Sequence, residues 1–362
     1  MPEKDSENIS RRGFVKGVTA GAVTIAAVSN AASRAQPADA QPEKKGDGKI
    51  RLAAVSWNFR AIAAGPPWTE PIDILADLGF EGVEPICAQP EQLDAVLAEP
   101  HYSNLMRQLE RRKMALPQFV LFQSAVAELG DLDSEKRKRA LDVFARGCQV
   151  AAKVGAPIVN IVAPWPTAYR KQGYDYLPRY YSTGTTMPGP KFWFDVPAGF
   201  EWDRAWSGFV EAMKAATQAA AAEGVRFSLE NHTHTFVQGP DAFLSLWREV
   251  RDPALGMNID IGWIQSQREY PVVAIHKVRE HLMHLHLRDI DGFAFRFVPP
   301  GAGCMDFAGV VLALRRIGYS GFLSFEQDGV PDQRYALRRG REILEELLAM
   351  SPSELEKAQQ QS

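Results

Sequence analysis

Short apolar segments alternate with longer amphipathic segments from residue 50 to residue 349, and this alternation limits the possible folds more than any other feature of the chain. The apolar segments are typical of buried strands, and most of the stretches between them have helical periodicity. Eight strands are predicted, at residues 50–56, 80–86, 115–122, 157–162, 225–230, 254–260, 281–287 and 322–326. Eight strand–helix units at this spacing predict a (β/α)₈ TIM barrel rather than an open sheet.

The segment 164–200 interrupts this alternation because it has neither helical nor strand periodicity. It is rich in Trp, Tyr and Phe, and it follows the fourth predicted strand. Loops of this length in a compact domain are usually functional or form an interface. We therefore expect an aromatic-rich insertion that either covers a sugar-like ligand or packs as a surface loop or subunit contact.

The N-terminal residues resemble a twin-arginine export signal. Residues 10–17 read SRRGFVKG, and a run of small and apolar residues follows at 18–28. Ser33 and Ala35 then provide the small residues expected at a cleavage site before Gln36.

This signal predicts where the mature protein works. Residues 1–35 would be recognised by the twin-arginine export machinery, so the mature protein is expected to be periplasmic or extracytoplasmic. The apolar run is too short for a permanent membrane span. Residues 36–49 have the composition of a flexible linker, the barrel is assigned to residues 50–349, and residues 350–362 are interpreted as a C-terminal tail.

Charge and cysteine content argue against two classes of protein. The formal net charge is −3 and no block of five Lys or Arg residues occurs, so a nucleic-acid-binding surface is not expected. The three cysteines, Cys87, Cys148 and Cys304, are scattered and form no CxxC pair. A disulfide framework or a thiolate zinc site is therefore not expected, and all three are interpreted as buried packing residues.

Potential metal ligands occur at the ends of the last four predicted strands. They are Glu230, Asp260, His286 and Glu326. Because the C-terminal strand ends of a parallel barrel meet at one face, these side chains are expected to lie close together. Three carboxylates and one imidazole suit Mn²⁺ or Mg²⁺ and are compatible with Co²⁺ or Zn²⁺.

Other residues near the same strand ends are candidates to contact a substrate or to support the metal ligands. His232 and His284 each share a strand face with a proposed ligand two residues away. Asp289 is either the group that fixes the tautomer of a ligand imidazole or a turn carboxylate. Glu84 and Trp57 lie near the ends of the second and first predicted strands and are candidates to line the pocket.

Four motifs, one on each of the last four predicted strands, carry a family resemblance. They are LENH at 229–232, NID at 258–260, HLHLRD at 284–289 and GFLSFEQD at 321–328. In this order they resemble the sugar phosphate isomerase/epimerase family, whose members are xylose isomerase-like TIM barrels. The resemblance extends over most of the mature chain.

The resemblance implies roles for the four ligands. Glu230 and Glu326 would bind the metal and serve as the two catalytic acid/base groups, while Asp260 and His286 would bind the metal. One position departs from the family pattern. Trp263 stands where relatives that act on free ketoses often have a histidine in contact with substrate. Trp263 is therefore a further candidate for substrate contact, and it leaves room for a lyase or dehydratase reaction.

Such a site predicts proton transfer on a small-molecule carbohydrate. A divalent metal chelated by a carbonyl and the neighbouring hydroxyl makes the adjacent C–H more acidic, and a glutamate then removes the proton to give an enediolate. The predicted function is an exported, metal-dependent isomerase or epimerase acting on a sugar or keto-sugar. Because phosphorylated intermediates are normally cytoplasmic, an unphosphorylated substrate is expected.

Alternative functions make different demands on the same barrel. A lyase or dehydratase would use the same site and a keto-sugar derivative, whereas a non-catalytic sugar-binding barrel would tolerate loss of the metal. A DNA-repair endonuclease built on a related barrel is disfavoured, because the chain has only seven histidines and a negative net charge. A homo-oligomer is compatible with the sequence, since barrels of this kind often pair through loops.

Overall fold

The strands predicted from the sequence form one parallel barrel. The computed structural model describes residues 48–164, 196, 198–292, 296–327 and 329–361. The strands are β1 (Ile50–Val55), β2 (Gly82–Glu84), β3 (Ile86–Cys87), β4 (Phe119–Leu121), β5 (Ile158–Val162), β6 (Arg226–Glu230), β7 (Leu255–Asp260), β8 (Leu282–Leu287), β9 (Asp289–Ile290), β10 (Phe297–Val298) and β11 (Gly321–Phe325). Nine of them join in the order β2-β1-β11-β8-β7-β6-β5-β4-β3, and β9 pairs with β10 as an antiparallel hairpin.

The barrel closes through one interrupted strand. β2 and β3 stand at the two ends of the sheet order, yet they are consecutive in the chain and are separated only by Pro85. Proline has no backbone N–H, so the ladder is interrupted at this residue. Counting β2 and β3 as one strand gives eight, and the prediction of a (β/α)₈ barrel is confirmed.

Helices surround the barrel in the positions that the amphipathic segments predict. They are α1 (Thr69–Asp77), α2 (Pro90–Leu97), α3 (His101–Arg112), α4 (Gln123–Val126), α5 (Ser134–Val154), α6 (Trp202–Ala222), α7 (Pro240–Val250), α8 (Ile261–Ser266), α9 (Pro271–Lys277), α10 (Phe307–Arg316), α11 (Gln333–Ala349) and α12 (Pro352–Gln361). The five predicted helices near 134–153, 203–223, 240–249, 306–317 and 332–349 match α5, α6, α7, α10 and α11 within two residues at each end.

The hydrophobic core lies between the strands and these helices. Phe144 of α5 packs against Phe227 of β6, with ring centroids 4.8 Å apart, and both rings are fully buried. Successive residues of a strand point to opposite faces, so the apolar residues of each strand face the helices while their neighbours face the barrel axis. The interior of the barrel is therefore lined by the alternate residues of each strand.

Polar side chains fill part of the barrel interior. Asn160 Nδ2 donates to Ser228 Oγ at 3.0 Å, and Ser228 Oγ donates to Gln118 Oε1 at 3.1 Å. Gln118 Nε2 then donates to Glu84 Oε2 at 2.8 Å. All four residues have no exposed surface. Buried polar groups of this kind are tolerated because they are hydrogen-bonded, and together they form a connected layer beneath the C-terminal strand ends.

The residues after 349 continue the fold as helix α12. Its Leu355 is fully buried against the core, where α12 packs on α10. Arg316 pairs with Glu356 at 2.7 Å, and Gln359 Nε2 donates to Asp306 Oδ2 at 2.7 Å. The C-terminal segment is therefore part of the packed structure.

The cysteines fit their predicted role only in part. Cys87 and Cys148 are buried, as expected of packing residues. Cys304 is exposed, so the same interpretation is wrong for it. The reason is that Cys304 belongs to the connection between β10 and α10, outside the layers that form the core.

Three predictions concern residues outside the described part of the chain. They are the export signal at 1–35, nearly all of the linker at 36–49, and most of the aromatic-rich insertion at 164–200. Within the described part, none of the helices is both long and apolar enough to cross a membrane.

Candidate metal centre

Four side chains meet at the C-terminal ends of β6, β7, β8 and β11. One ligand atom from each of Glu230, Asp260, His286 and Glu326 lies within 4.8 Å of the others. Strand register explains part of this convergence, because Asp260 is paired with His286 in the ladder between β7 and β8. Glu326 directly follows β11 and reaches the same space. The structure thus brings together the residues that the sequence proposes as metal ligands.

These four side chains are almost completely withdrawn from solvent. Their exposed fractions are 2% for Glu230, 0% for Asp260, 0% for His286 and 6% for Glu326. Three carboxylates in such a place are unfavourable unless cations and hydrogen bonds compensate them. These carboxylates therefore need positively charged groups close to them, whichever reaction the site performs.

His286 lies between carboxylates on both sides of its ring. Its Nδ1 atom is 2.9 Å from Glu326 Oε2 and 3.2 Å from Glu230 Oε1. Both Nδ1 and Glu326 Oε2 are buried without a well-formed hydrogen bond. Buried nitrogen and oxygen atoms that lack hydrogen bonds and face a common space are suited to coordinate a metal ion. A set of three carboxylates and one imidazole suits a divalent cation such as Mn²⁺ or Mg²⁺.

Glu84 connects the metal centre to the interior of the barrel. Its Oε1 atom is 2.7 Å from His284 Nε2, and its Oε2 atom is 3.0 Å from His286 Nε2. Burial raises the pKa of Glu84, but His284 and His286 outweigh burial and hold that pKa well below its ordinary range. An ionised Glu84 accepts the Nε2–H of His286, which directs Nδ1 towards the other three ligands.

Asp289 does not orient a ligand imidazole, which is one of the two roles that the sequence allows for it. Its carboxylate accepts backbone N–H groups at 2.8–3.0 Å from Ile290, Gly301, Gly303 and Met305. The tautomer of His286 is instead fixed by Glu84. The reason is the strand period, because Asp289 is an odd number of residues after His286 and so points away from the ligand. The alternative reading of Asp289 as a turn carboxylate agrees with these contacts.

Arg288 is a residue of the site that the sequence reasoning missed. Its Nε atom is 2.6 Å from Asp260 Oδ2, and its Nη2 atom contacts Glu326 Oε1. Only 3% of Arg288 is exposed. A signal was present in HLHLRD, since Arg288 follows His286 by two residues and must share its strand face.

The two glutamates are in different electrostatic surroundings. Burial, with the nearby charges of Glu326 and Asp260, raises the pKa of Glu230 to about 7, although His286 opposes the shift. Burial also raises the pKa of Glu326, but Arg288 and His286 outweigh it, and the pKa falls to about 2. Without a bound ion, Glu326 is therefore ionised at neutral pH, while Glu230 titrates in that range.

The aromatic candidates form walls beside these ligands. Trp57 Nε1 donates to Glu326 Oε1 at 3.0 Å. The ring of Trp263 lies 4.2 Å from the ring of His232, and the Trp263 backbone N–H donates to Asp260 Oδ1 at 3.0 Å. Burial lowers the pKa of His232 to about 3, so this imidazole is neutral at ordinary pH. Trp57 and Trp263 thus contact proposed metal ligands directly, and His232 packs against Trp263.

A second missed residue supports Glu230. Asn258 is fully buried, and its Nδ2 donates to Glu230 Oε2 at 3.0 Å. Register pairs Asn258 with Glu230 across β6 and β7. The sequence signal was a polar residue two positions before Asp260 in an otherwise apolar strand.

The family of the chain follows from its fold and its sequence. Residues 72–347 match the profile of the xylose isomerase-like TIM barrel. The chain therefore belongs to this family.

Individual relatives are distant but cover most of the barrel. The L-ribulose-5-phosphate 3-epimerase UlaE of Salmonella paratyphi C is 21% identical over 267 residues, which are 72% of this chain and 82% of that protein. The structure of D-psicose 3-epimerase from Clostridium cellulolyticum H10 has a TM-score of 0.64 at 16% identity and covers 83% of this chain and 100% of its own. The 3-keto-D-glucoside 4-epimerase YcjR of E. coli has a TM-score of 0.61 at 18% identity, with coverages of 82% and 100%.

Replacing Glu84 by glutamine tests how His286 is oriented. Glu84→Gln keeps the shape of the side chain but presents an NH₂ group to one of the two imidazoles, so the ligand tautomer is no longer fixed. We expect the affinity for Mn²⁺ to fall by about 10–100-fold in a calorimetric titration. Glu81→Gln, an exposed neighbour in the same segment, is the matched control. An unaltered affinity in Glu84→Gln would show that Glu84 does not orient His286.

The affinity for a divalent ion is expected to rise with pH. Burial alone lowers the pKa of His286, but Glu230 and Glu84 outweigh burial and raise it well above its ordinary value. The ion must therefore displace a proton from Nδ1, and another from Glu230 below about pH 7. Each displaced proton raises the binding constant about 10-fold per pH unit. Titrations with Mn²⁺ between about pH 5.5 and 8, in buffers of different ionisation enthalpy, count the protons. A constant affinity over this range contradicts the assignment.

Proposed function

We propose that the protein is an exported, divalent-metal-dependent isomerase or epimerase that acts on a sugar or keto-sugar through an enediolate. One observation carries the proposal: two buried glutamates, Glu230 and Glu326, approach the same imidazole nitrogen of His286 from different strands. Two carboxylates in this relation can remove a proton on one side of a substrate and return it on another.

Glu230, Asp260, His286 and Glu326 would hold the cofactor of the proposed reaction. Mn²⁺ or Mg²⁺ suits this donor set best, and Co²⁺ or Zn²⁺ is compatible with it. A divalent ion bound there would polarise a substrate carbonyl and the neighbouring hydroxyl and so make the adjacent C–H more acidic. The four ligand side chains are almost completely buried, which limits the access of water to the reacting atoms.

The protons move between the substrate and the two glutamates. One carboxylate takes the proton from the carbon beside the carbonyl, and the electron pair of that C–H bond forms the enediolate. Return of a proton to the neighbouring carbon is isomerisation, and return to the opposite face of the same carbon is epimerisation. As a ligand of the ion, Glu230 would have a lowered pKa and so would be available as a base near neutral pH, while Glu326 is held ionised beside Arg288 and Trp57.

The substrate class is inferred from the walls of the site. Trp57 and Trp263 place aromatic surface beside the ligands, and such surface favours the apolar face of a sugar ring. The relatives described above are named for L-ribulose 5-phosphate, D-psicose and a 3-keto-D-glucoside. For an exported enzyme we propose an unphosphorylated ketose or a keto-glycoside. His232 and His284 are assigned to substrate contact and to support of Glu84, respectively.

Two other uses of the same site give different results in the same assay. A lyase or dehydratase would remove the same proton but expel a leaving group, so an unsaturated product would accumulate in place of an isomer. A sugar-binding barrel without catalysis would bind ligand with and without chelator and would exchange no substrate proton.

Replacing each glutamate by glutamine tests the proton transfer. We expect Glu230→Gln and Glu326→Gln each to reduce turnover by about 10²–10⁴-fold at saturating Mn²⁺, because glutamine cannot accept the proton. The measurement is solvent-deuterium incorporation by NMR on a panel of ketoses and keto-glycosides. Glu346→Gln, an exposed residue of α11, is the control. Undiminished deuterium incorporation in both variants would eliminate the enediolate scheme.

Export is tested at the paired arginines. In a bacterium that has the twin-arginine machinery, the full chain is expected to reach the periplasm, whereas the double variant Arg11→Lys, Arg12→Lys stays in the cytoplasm. The signal requires the arginine pair and not its charge alone. Fractionation and immunoblotting of the two proteins give the answer. Equal periplasmic amounts of both would contradict this route.

A further inference from the structure

Arg288 contacts two of the proposed metal ligands, and on Glu326 it contacts the oxygen that does not face His286. Its Nη2 atom contacts Glu326 Oε1, while the other oxygen, Oε2, faces His286 Nδ1. Its Nε atom is 2.6 Å from Asp260 Oδ2. One guanidinium therefore bridges two carboxylates from different strands and leaves Glu326 Oε2 directed at the ion position.

The guanidinium is held in this place by its surroundings. Its central carbon lies 4.6 Å from the ring centroid of Phe297 and 5.6 Å from that of Trp263. Aromatic faces attract a cation and exclude water from it. Since only 3% of Arg288 is exposed, the ion pairs are poorly screened by solvent and salt.

The formal charges of the site indicate that Arg288 has two effects, one on the metal-free site and one on the affinity for the ion. Glu230, Asp260 and Glu326 carry three negative charges when all are ionised, and within the described part of the chain they form ion pairs with Arg288 and His286. In the ion-bound state, with His286 as a neutral ligand, the guanidinium leaves these three carboxylates with a formal charge of −2, which one divalent ion neutralises. Without Arg288 that charge would be −3. Loss of the guanidinium removes one positive charge in the metal-free state as well, so the carboxylates would repel one another more strongly when no ion is bound and would attract a divalent ion more strongly.

We propose that Arg288 is a resident counter-cation of the metal centre: it keeps the ligand carboxylates together when no ion is bound, and it lowers their affinity for the divalent ion. This inference rests on the metal centre of the proposed function and not on its sugar chemistry. Arg288 acts through Asp260 and Glu326, so it is a positioning residue. The result is a metal site whose folding does not depend on the ion and whose ion exchanges more readily.

The test compares Arg288→Met with the full-length parent after removal of metal. Methionine keeps the apolar packing against Phe297 and Trp263 but has no charge. We expect the metal-free variant to have a lower Tm than the metal-free parent. In a titration with Mn²⁺ alone, we expect it to bind at least about 10-fold more tightly. A merely structural role of Arg288 predicts the opposite sign, since a disordered site binds the ion more weakly.

Two further variants complete the experiment. Arg288→Lys retains the charge without the bridge, and its Mn²⁺ affinity is expected to stay near that of the parent. Arg279→Met, an exposed arginine, is expected to change neither quantity. If Arg288→Met folds only when Mn²⁺ is added, the proposal is supported. If it folds in neither condition, Arg288→Lys decides through its affinity: a value close to that of the parent supports the proposal, and a clearly weaker one overturns it.

The opposing outcomes are equally definite. An unchanged metal-free Tm in Arg288→Met, or an Mn²⁺ affinity that is equal to or weaker than that of the parent, overturns the proposal. A parent that binds no Mn²⁺ overturns both this proposal and the metal centre. A parent that binds Mn²⁺ but acts on no sugar overturns only the proposed function, because no step of this experiment uses a sugar.

Discussion

Buried negative charge is the constraint on which the rest of this centre depends. Ligand atoms of three carboxylates and one imidazole lie within 4.8 Å of one another, and no more than 6% of any of these residues is exposed. Like charges at such separations repel strongly where water is scarce. Three groups can offset this negative charge. They are His286 between the carboxylates, Arg288 at one side, and the divalent ion that the donor set fits. The arrangement of the neighbouring residues follows from it.

The barrel supports the charged layer from below. Side chains two residues before a ligand face the same interior, so Asn258, His284 and Ser324 form a polar layer under Asp260 and the other ligands. His284 lies 2.9 Å from Ser324 Oγ. In an interior of this kind the orientation of a ligand is set by strands, which are rigid, and not by loops. The chemistry at the strand ends is thus separated from the parts of the chain that recognise the substrate.

Much of this architecture could be predicted because it depends on short-range periodicity. Alternating residues give the strands, and parallel closure then forces the four strand ends together. Arg288 and Asp289 mark the limit of such reasoning, since they are adjacent but point to opposite faces, and only Asp289 was predicted to belong to the site. Glu84 contacts His286 across 202 residues of sequence, which no local pattern encodes. Residues 350–362 were predicted to be a tail because a short helix such as α12 is stabilised mainly by tertiary packing, which the local sequence does not show.

Asp289 gives one edge of the barrel mouth a fixed anchor. Its carboxylate gathers backbone N–H groups from both ends of the connection that runs from Ile290 to Met305. A connection fastened at a single carboxylate can accept insertions and replacements between its ends without shifting the strand before it or the helix after it. Replacements can therefore be concentrated in residues 291–296, between β9 and β10, while Phe297, which packs on Arg288, and the ion-binding layer stay unchanged. In this sense one aspartate allows part of the barrel mouth to vary without disturbing the metal centre.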